Sequence, residues 1–170
     1  MIVNVDRSFL EINSIKNLNR SKSPGLNFKI SEVDPPDFNL NKFFYKQIGR
    51  KYRWIDRLIW EDKKWIEYVE NPRVRTFILK DNSNLAGYYE TILDPDNNHS
   101  EIAYFGILEE YIGKKCGGYL LSEAINKLFE DGISRVWVHT CTLDHKNAIK
   151  NYLARGMHIF RSEKINVEVN

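Results

Sequence analysis

A chain of 170 residues, 42% hydrophobic and 28% charged, is long enough for one domain with a sizeable core and excludes extensive disorder. A formal net charge of +2 and a pI of about 8.4 are too mild to make nucleic acid or an anionic membrane the main partner. The two cysteines, Cys116 and Cys141, lack CxxC spacing and the four histidines form no zinc pattern with them, so a reducing compartment and no structural metal are expected.

The first segment, MIVNVDRSFLEINSIKNLNR, has only short apolar runs interrupted by Asp6, Arg7 and Glu11. It reads as neither a signal peptide nor a membrane span, which makes a cytoplasmic location the default, and its secondary structure stays undecided. A polar connector, NRSKSPG at 19–25, precedes FKISEV at 28–33, whose alternation predicts a strand ended by Asp34, Pro35 and Pro36. The stretch from Phe38 to Pro72 carries apolar residues at helical spacing, broken near Gly49 and stopped by Asn71 and Pro72, and predicts two short helices. RVRTFILK (73–80) and LAGYYETILD (85–94) form a hairpin across a DNSN turn, and EIAYFGIL (101–108) adds a strand after DPDNNH. From Gly117 the pattern changes to a helical stripe of Leu120, Leu121, Ala124, Ile125, Leu128 and Phe129, ending near Asp131 and Gly132. A strand, SRVWVHTC, a helix around HKNAIKNYLAR closed by Gly156, and a last strand, MHIFRSEKINVEV, complete a single domain over 1–170.

Between the third of these strands and the glycine-started helix lies EEYIGKKCGGYLL, residues 109–121. Backbone N–H groups at a helix start lack intrahelical acceptors and carry partial positive charge, so a strand, glycine-rich turn and helix N-terminus suit a phosphate. Gly113, Gly117 and Gly118 let the main chain come close, and Lys114 and Lys115 add charge. Neither GxxxxGK[ST] nor GxGxxG is present, and a plain helix entry with two solvated lysines is the structural alternative.

The longer strings AYFGILEEYIGKKCGGYLL, SRVWVHTCTLDH and NYLARGM resemble the GNAT superfamily of acetyl-CoA-dependent N-acetyltransferases, over about residues 40–163. They are similar to a bacterial subgroup reading close to AYFGLLPEFIGRGLGGxLL, RRVWVHTCTLDH and NYxARGF. Against the superfamily loop [QR]-x-x-G-x-[GA], Ile112 stands at the first position, Lys115 at the first glycine and Gly117 at the second. Ile112 is usual in the subgroup, so Lys115 is the departure.

The resemblance implies an α+β fold: a central, mostly antiparallel mixed sheet of about six to seven twisted strands with four helices, whose fourth and fifth strands splay to form a coenzyme A cleft. It implies acetyl-CoA as co-substrate and transfer of its acetyl group to a primary amine by direct attack in a ternary complex. A noncatalytic acyl-CoA-binding module of the same fold is the alternative. The coenzyme is expected against Ile107, Leu108, Ile112, Gly113, Lys114, Lys115, Cys116, Gly117, Gly118, His145 and Ala148. His145 stands where many members carry an asparagine that bonds the pantetheine arm. The Ile107 N–H is the implied oxyanion donor and Tyr152 the implied acid for the departing thiolate. Ala148, Ile149, Tyr152 and Leu153 also share one helical stripe, so a core role for Tyr152 stays open.

Glu101 is the candidate base, resembling the glutamate that begins the corresponding strand in the histone-acetylating branch; an apolar neighbourhood would raise its pKa toward working pH. On a regular strand Glu101, Ala103, Phe105 and Ile107 share a face, unless a bulge breaks the parity. HTCTLDH (139–145) has the composition of a metal or Cys/His site but no third ligand at suitable spacing, so it reads as strand, turn and N-cap, with Asp144 or Thr142 as the cap and His139 as a secondary base. The resemblance implies that the two early helices form one wall of the acceptor site; here they are rich in aromatics such as Phe43, Tyr52, Trp54, Trp60 and Trp65, and Asp56, Glu61 and Asp62 could attract a cationic amine. The acceptor is expected to be a small molecule or a peptide, with no nucleic-acid or membrane partner. The resemblance admits a homodimer.

Overall fold

The computed structural model describes residues 1–169. Seven strands form one sheet in the order β2-β3-β4-β5-β6-β1-β7, and four α-helices lie against it. The strands are β1 (Ile2–Ile12), β2 (Phe28–Glu32), β3 (Val74–Asp81), β4 (Asn84–Asp94), β5 (His99–Ile107), β6 (Arg135–Cys141) and β7 (His158–Glu168). The helices are α1 (Phe38–Gly49), α2 (Asp62–Val69), α3 (Cys116–Glu130) and α4 (Ala148–Ala154). Every neighbouring pair is antiparallel except β5 and β6. The expected mixed sheet with four helices is therefore present, and the strands called fourth and fifth in the resemblance are β5 and β6 in chain order.

The N-terminal segment, undecided in the sequence, is an eleven-residue strand. β1 lies between β6 and β7, with Leu10 opposite Val138 and Ile12 opposite Val136, and both of its residues are fully buried. Asp6, Arg7 and Ser8 hide its alternation, and a register shift against β7 between Phe9 and Leu10 breaks the period of two.

The sheet separates two apolar layers. On one face α3 sets Leu120, Leu121, Ala124, Ile125 and Leu128 against Leu10, Ile12, Leu79, Ile102, Val136 and Val138. Their spacing places them on one helical stripe. On the other face α1 packs Phe44 and Ile48 on Ile78 and Tyr88, with the Phe44 and Tyr88 rings stacked at 4.7 Å. Asp37 starts α1 by accepting from the Asn39 N–H, as a helix N-cap does.

Two departures from regular pairing shape the middle of the sheet. β5 and β6 are in register only at His99–Arg135, Ser100–Val136 and Glu101–Trp137, after which they part. β5 also bulges against β4: Glu90 pairs with Tyr104 but Thr91 with Ile102, leaving Ala103 extra. The bulge overturns the common face expected for Glu101, Ala103, Phe105 and Ile107. Phe105 and Ile107 join Ile102 on the α3 side, whereas Tyr104 faces α1. Glu101, the residue before Ile102, is left on the α1 side, where the Arg57 charge acts on it.

Candidate active site

The parting of β5 from β6 opens a gap whose mouth is Glu101. A strand that loses its neighbour has main-chain groups turned toward no partner strand. The Leu108 N–H bonds Ala86 O on β4 at 2.8 Å, so by alternation the Ile107 N–H points away from β4, toward the gap. Burial pushes the Glu101 carboxyl above its usual range, with the Arg57 guanidinium pulling it partly back. Across the mouth His139 Nε2 stands 3.9 Å from Glu101 Oε1. Burial lowers the His139 pKa, and Arg7 lowers it further, so the imidazole is held toward its neutral form. His139, a secondary candidate in the sequence, is thus beside the first one.

On the opposite face of the sheet Tyr152 of α4 is 7% exposed, with its ring edge-on to Phe105 at 6.5 Å between centroids. Burial, then the charge of Asp144, raises its phenol pKa, which keeps the group protonated. Tyr152 thus has the core position its helical stripe allows, beside Phe105 of the strand that parts from β6.

Beyond Ile107 the chain turns through a short 3-10 segment at Glu109–Tyr111 and enters α3. Gly113 has φ +82, and an added Cβ there would meet nothing within 4 Å, so its glycine answers to backbone conformation alone. Lys115 has φ +65, ψ 12, a left-handed conformation that a glycine would hold without strain. This gives the departure seen in the sequence a physical content. No side chain caps α3, so its first amides are left for another acceptor. Gly117 lies between Ile107 and Asn151, where a Cβ would make van der Waals contact with both, and its carbonyl accepts from Asn151 Nδ2 at 3.1 Å.

The remaining loop residues divide. The Cys116 side chain is in the core, so only its main chain faces the turn. A Cβ on Gly118 would press on Arg155 and Ser21, so that glycine serves close packing of the connector. The Lys114 ammonium folds over the Tyr111 ring at 5.4 Å, while Ile112 and Lys115 are exposed and Leu108 is half-buried. Ala148 opens α4 and packs against the core, and His145 Nδ1 accepts from the Asn147 N–H at 3.0 Å. The His145 ring meets Tyr52 edge-on at 5.9 Å, which joins the α1–α2 loop to the β6–α4 turn. Asp144 does not cap α4: its carboxylate accepts from Thr140 Oγ1 at 2.6 Å and the Cys141 N–H at 3.1 Å, closing the turn itself. The α4 cap position is Asn147, without a side-chain bond, and Thr142 is exposed.

One cluster went unnoticed in the sequence. Arg57, in the α1–α2 loop, is 6% exposed, and its guanidinium lies over the rings of Tyr68 at 4.1 Å, Tyr104 at 4.2 Å and Trp60 at 4.8 Å, with Trp65 and Tyr45 near 5.7 Å. Beneath it Glu90, 0% exposed, accepts from Arg57 at 2.9 Å, Tyr68 OH at 2.7 Å and Asn41 Nδ2 at 2.9 Å. Burial disfavours the Arg57 charge, but Glu90 together with the Tyr68 and Tyr104 phenols outweighs it and the pKa rises. The only sequence signal was a lone Glu in the apolar run GYYETIL. The acids expected to attract a cationic amine, Asp56, Glu61 and Asp62, are all exposed, and Asp62 pairs with Lys42 at 3.0 Å. Anchored by Arg57, the loop leaves Ile55, Leu58 and Ile59 facing outward, Ile59 at 86%. A cavity of about 540 Å³ beside this loop is lined by Tyr45, Arg50, Lys51, Trp54 and Leu58, and touches neither Glu101 nor Tyr152. Among the described residues no three His, Cys, Asp or Glu side chains are grouped to hold a metal.

The acetyltransferase (GNAT) family model matches residues 38–157. Among solved structures, a GCN5-related N-acetyltransferase from Sphaerobacter thermophilus superposes with a TM-score of 0.71 at 14% identity, covering 95% of this chain and 50% of that one. This chain thus spans about half the length of that relative. An aminoglycoside acetyltransferase from an uncultured soil metagenomic sample gives 0.64 at 12% identity over 76% of this chain and 87% of that one. The ribosomal-protein-S18-alanine N-acetyltransferase of Escherichia coli gives 0.59 at 15% identity over 84% and 96%. At these identities the structures speak to the fold. No curated protein sequence matches the chain.

Proposed function

Since the chain belongs to the acetyltransferase (GNAT) family and has its fold, we propose that it transfers an acetyl group from acetyl-CoA to a primary amine by direct attack in a ternary complex. The observation that carries this is the parting of β5 and β6 at Glu101, which sets a carboxylate of raised pKa at the mouth of a gap lined by an unpaired edge.

The residues suit the co-substrate. The uncapped start of α3, the left-handed turn before it and the side-chain-free space at Gly117 would receive the pyrophosphate and the arm beyond it. Acetyl-CoA supplies the acyl thioester. Glu101, beside neutral His139, takes the proton that must leave the amine before nitrogen can attack. The Ile107 N–H donates to the carbonyl oxygen as negative charge gathers there. As the new C–N bond replaces the C–S bond, the Tyr152 hydroxyl gives its proton to the departing sulfur, the amide nitrogen sheds its second proton to solvent, and Tyr152 is reprotonated from solvent. Direct attack fits because no thiol is placed as a nucleophile. Cys116 is buried in the core, and burial raises the pKa of Cys141.

The test is thiol release from acetyl-CoA across a panel of primary amines, with Glu101→Gln and Tyr152→Phe beside the wild type. Amine-dependent release that drops by about 10²-fold or more in either variant is expected. If acetyl-CoA raises the melting temperature but no amine accelerates release, the protein is an acyl-CoA-binding module.

A further inference from the structure

The α1-side face of the sheet is covered by α1 and α2 over β3, β4 and β5, and beyond Glu101 it continues across β6, β1 and β7 as an aromatic strip. Glu101 is in register with Trp137 on β6. The Trp137 ring stacks on Phe9 of β1 at 6.4 Å and 27°, and Phe9 meets His139 at 5.7 Å and Phe160 of β7 at 6.2 Å. Three strand spacings from β5 to β7 give the strip a length of about 14 Å. Trp137 and Phe9 are half-buried and Phe160 is 42% exposed, so ring surface faces solvent rather than a helix.

Charges along the strip are compensated within it. Arg135 pairs with Glu11, which also meets His158 at 3.3 Å. Glu163 answers Arg161 at 2.8 Å and Arg7 at 3.4 Å. Two of these guanidiniums lie over the rings themselves, Arg161 over Phe9 at 4.9 Å and Arg135 over Phe160 at 4.8 Å, which leaves Trp137, among the described residues of the strip, as the ring without a cation on it. Beyond Glu101 at its head, the strip offers a polyamine only carboxylates already paired, Glu11 and Glu163, and an anion only arginines already paired. What the strip offers is flat apolar area beginning at the base and leading away from the thioester gap.

We infer that the acceptor is a primary amine carrying a flat apolar body, an arylalkylamine in chemical class, whose ring lies on Trp137 with Phe9 flanking it while its nitrogen reaches Glu101. This rests on the proposed acetyl transfer for the role of Glu101, but the contact between ring and strip is independent of turnover.

The experiment compares 2-phenylethylamine with ethanolamine on the wild type, Trp137→Ala and Phe160→Ser, by steady-state acetylation and by calorimetric binding to the protein saturated with coenzyme A. Ring stacking and burial favour the aryl amine by about tenfold or more in kcat/KM and in affinity on the wild type. Trp137→Ala brings the aryl-to-ethanolamine ratio close to one, mainly through KM. Phe160→Ser, at an exposed edge position, lowers the ratio about two- to threefold without unfolding the protein. Equal or better use of ethanolamine by the wild type overturns the inference, as does an aryl preference unchanged in both variants. Selective aryl binding without acetylation would sustain the surface and sink the catalytic reading instead.

Discussion

Arg57 and Glu90 give the sharpest test of the packing. Arg57→Met removes the cation above a carboxylate that is 0% exposed, leaving Glu90 with hydrogen bonds only from Tyr68 and Asn41. Breaking a buried pair by removing one partner costs about 3–5 kcal/mol. For a chain of this length each kcal/mol shifts Tm by about 2–4 °C, so the expected loss is about 6–20 °C. Glu90→Leu strands the guanidinium among aromatic rings and carries a similar cost. The double variant Arg57→Met/Glu90→Leu removes both charges and leaves the Tyr68 hydroxyl and the Asn41 amide to lose a bond each, about 1 kcal/mol apiece. It should therefore unfold at about 2 kcal/mol of destabilisation, less than either single change. Urea unfolding of all four proteins gives the coupling energy directly. If the double variant loses the sum of the singles, the two groups do not act as a pair and the electrostatic account of the loop anchor fails.

Four further outcomes follow from the site. The proposed base, Glu101, must be ionised to work and burial raises its pKa, so kcat/KM should rise with pH along a limb lying above 4.5, the ordinary value, and Glu101→Gln should lose that limb. A limb at or below 4.5 would refute the assignment. On stability the sign is opposite: the folded state holds the Glu101 proton more tightly than the unfolded chain, so this group's contribution falls as pH climbs from the unfolded toward the folded pKa, whereas lowered His139 adds stability as pH rises toward 6.5. Gly113→Ala forces a side chain onto φ +82 with no steric neighbour, and should cost about 1–2 kcal/mol in urea unfolding and weaken coenzyme A binding; a neutral result would show that the turn is free to change. Lys115→Gly relieves φ +65 at an exposed position and should raise stability by about 0.5 kcal/mol, with coenzyme affinity kept or improved. Weaker binding by that variant would mean that the lysine charge, rather than the backbone, holds the phosphates.

Local chemistry made much of this protein legible from its residues alone. The hairpin at 74–94, the helices around Gly49 and the helical stripe after Gly117 were predictable because each alternation or 3.6-residue period is confined to one element. The glycine-containing turn and the start of α3 were readable for the same reason, since helix starts and left-handed turns are decided within a few residues. Tertiary structure decided the rest. β1 could not be recognised because its burial comes from β6 and β7, drawn from the other end of the chain, while its own alternation is broken by charge and a bulge. The faces of β5 turned on one extra residue, Ala103, whose insertion no propensity encodes. Arg57 over Glu90, Glu101 beside His139, and Trp137 beside Phe9 are pairs from distant segments. A sequence names such residues, but only a sheet that brings those segments together sets their distances, and with them their pKa values and the surface they form.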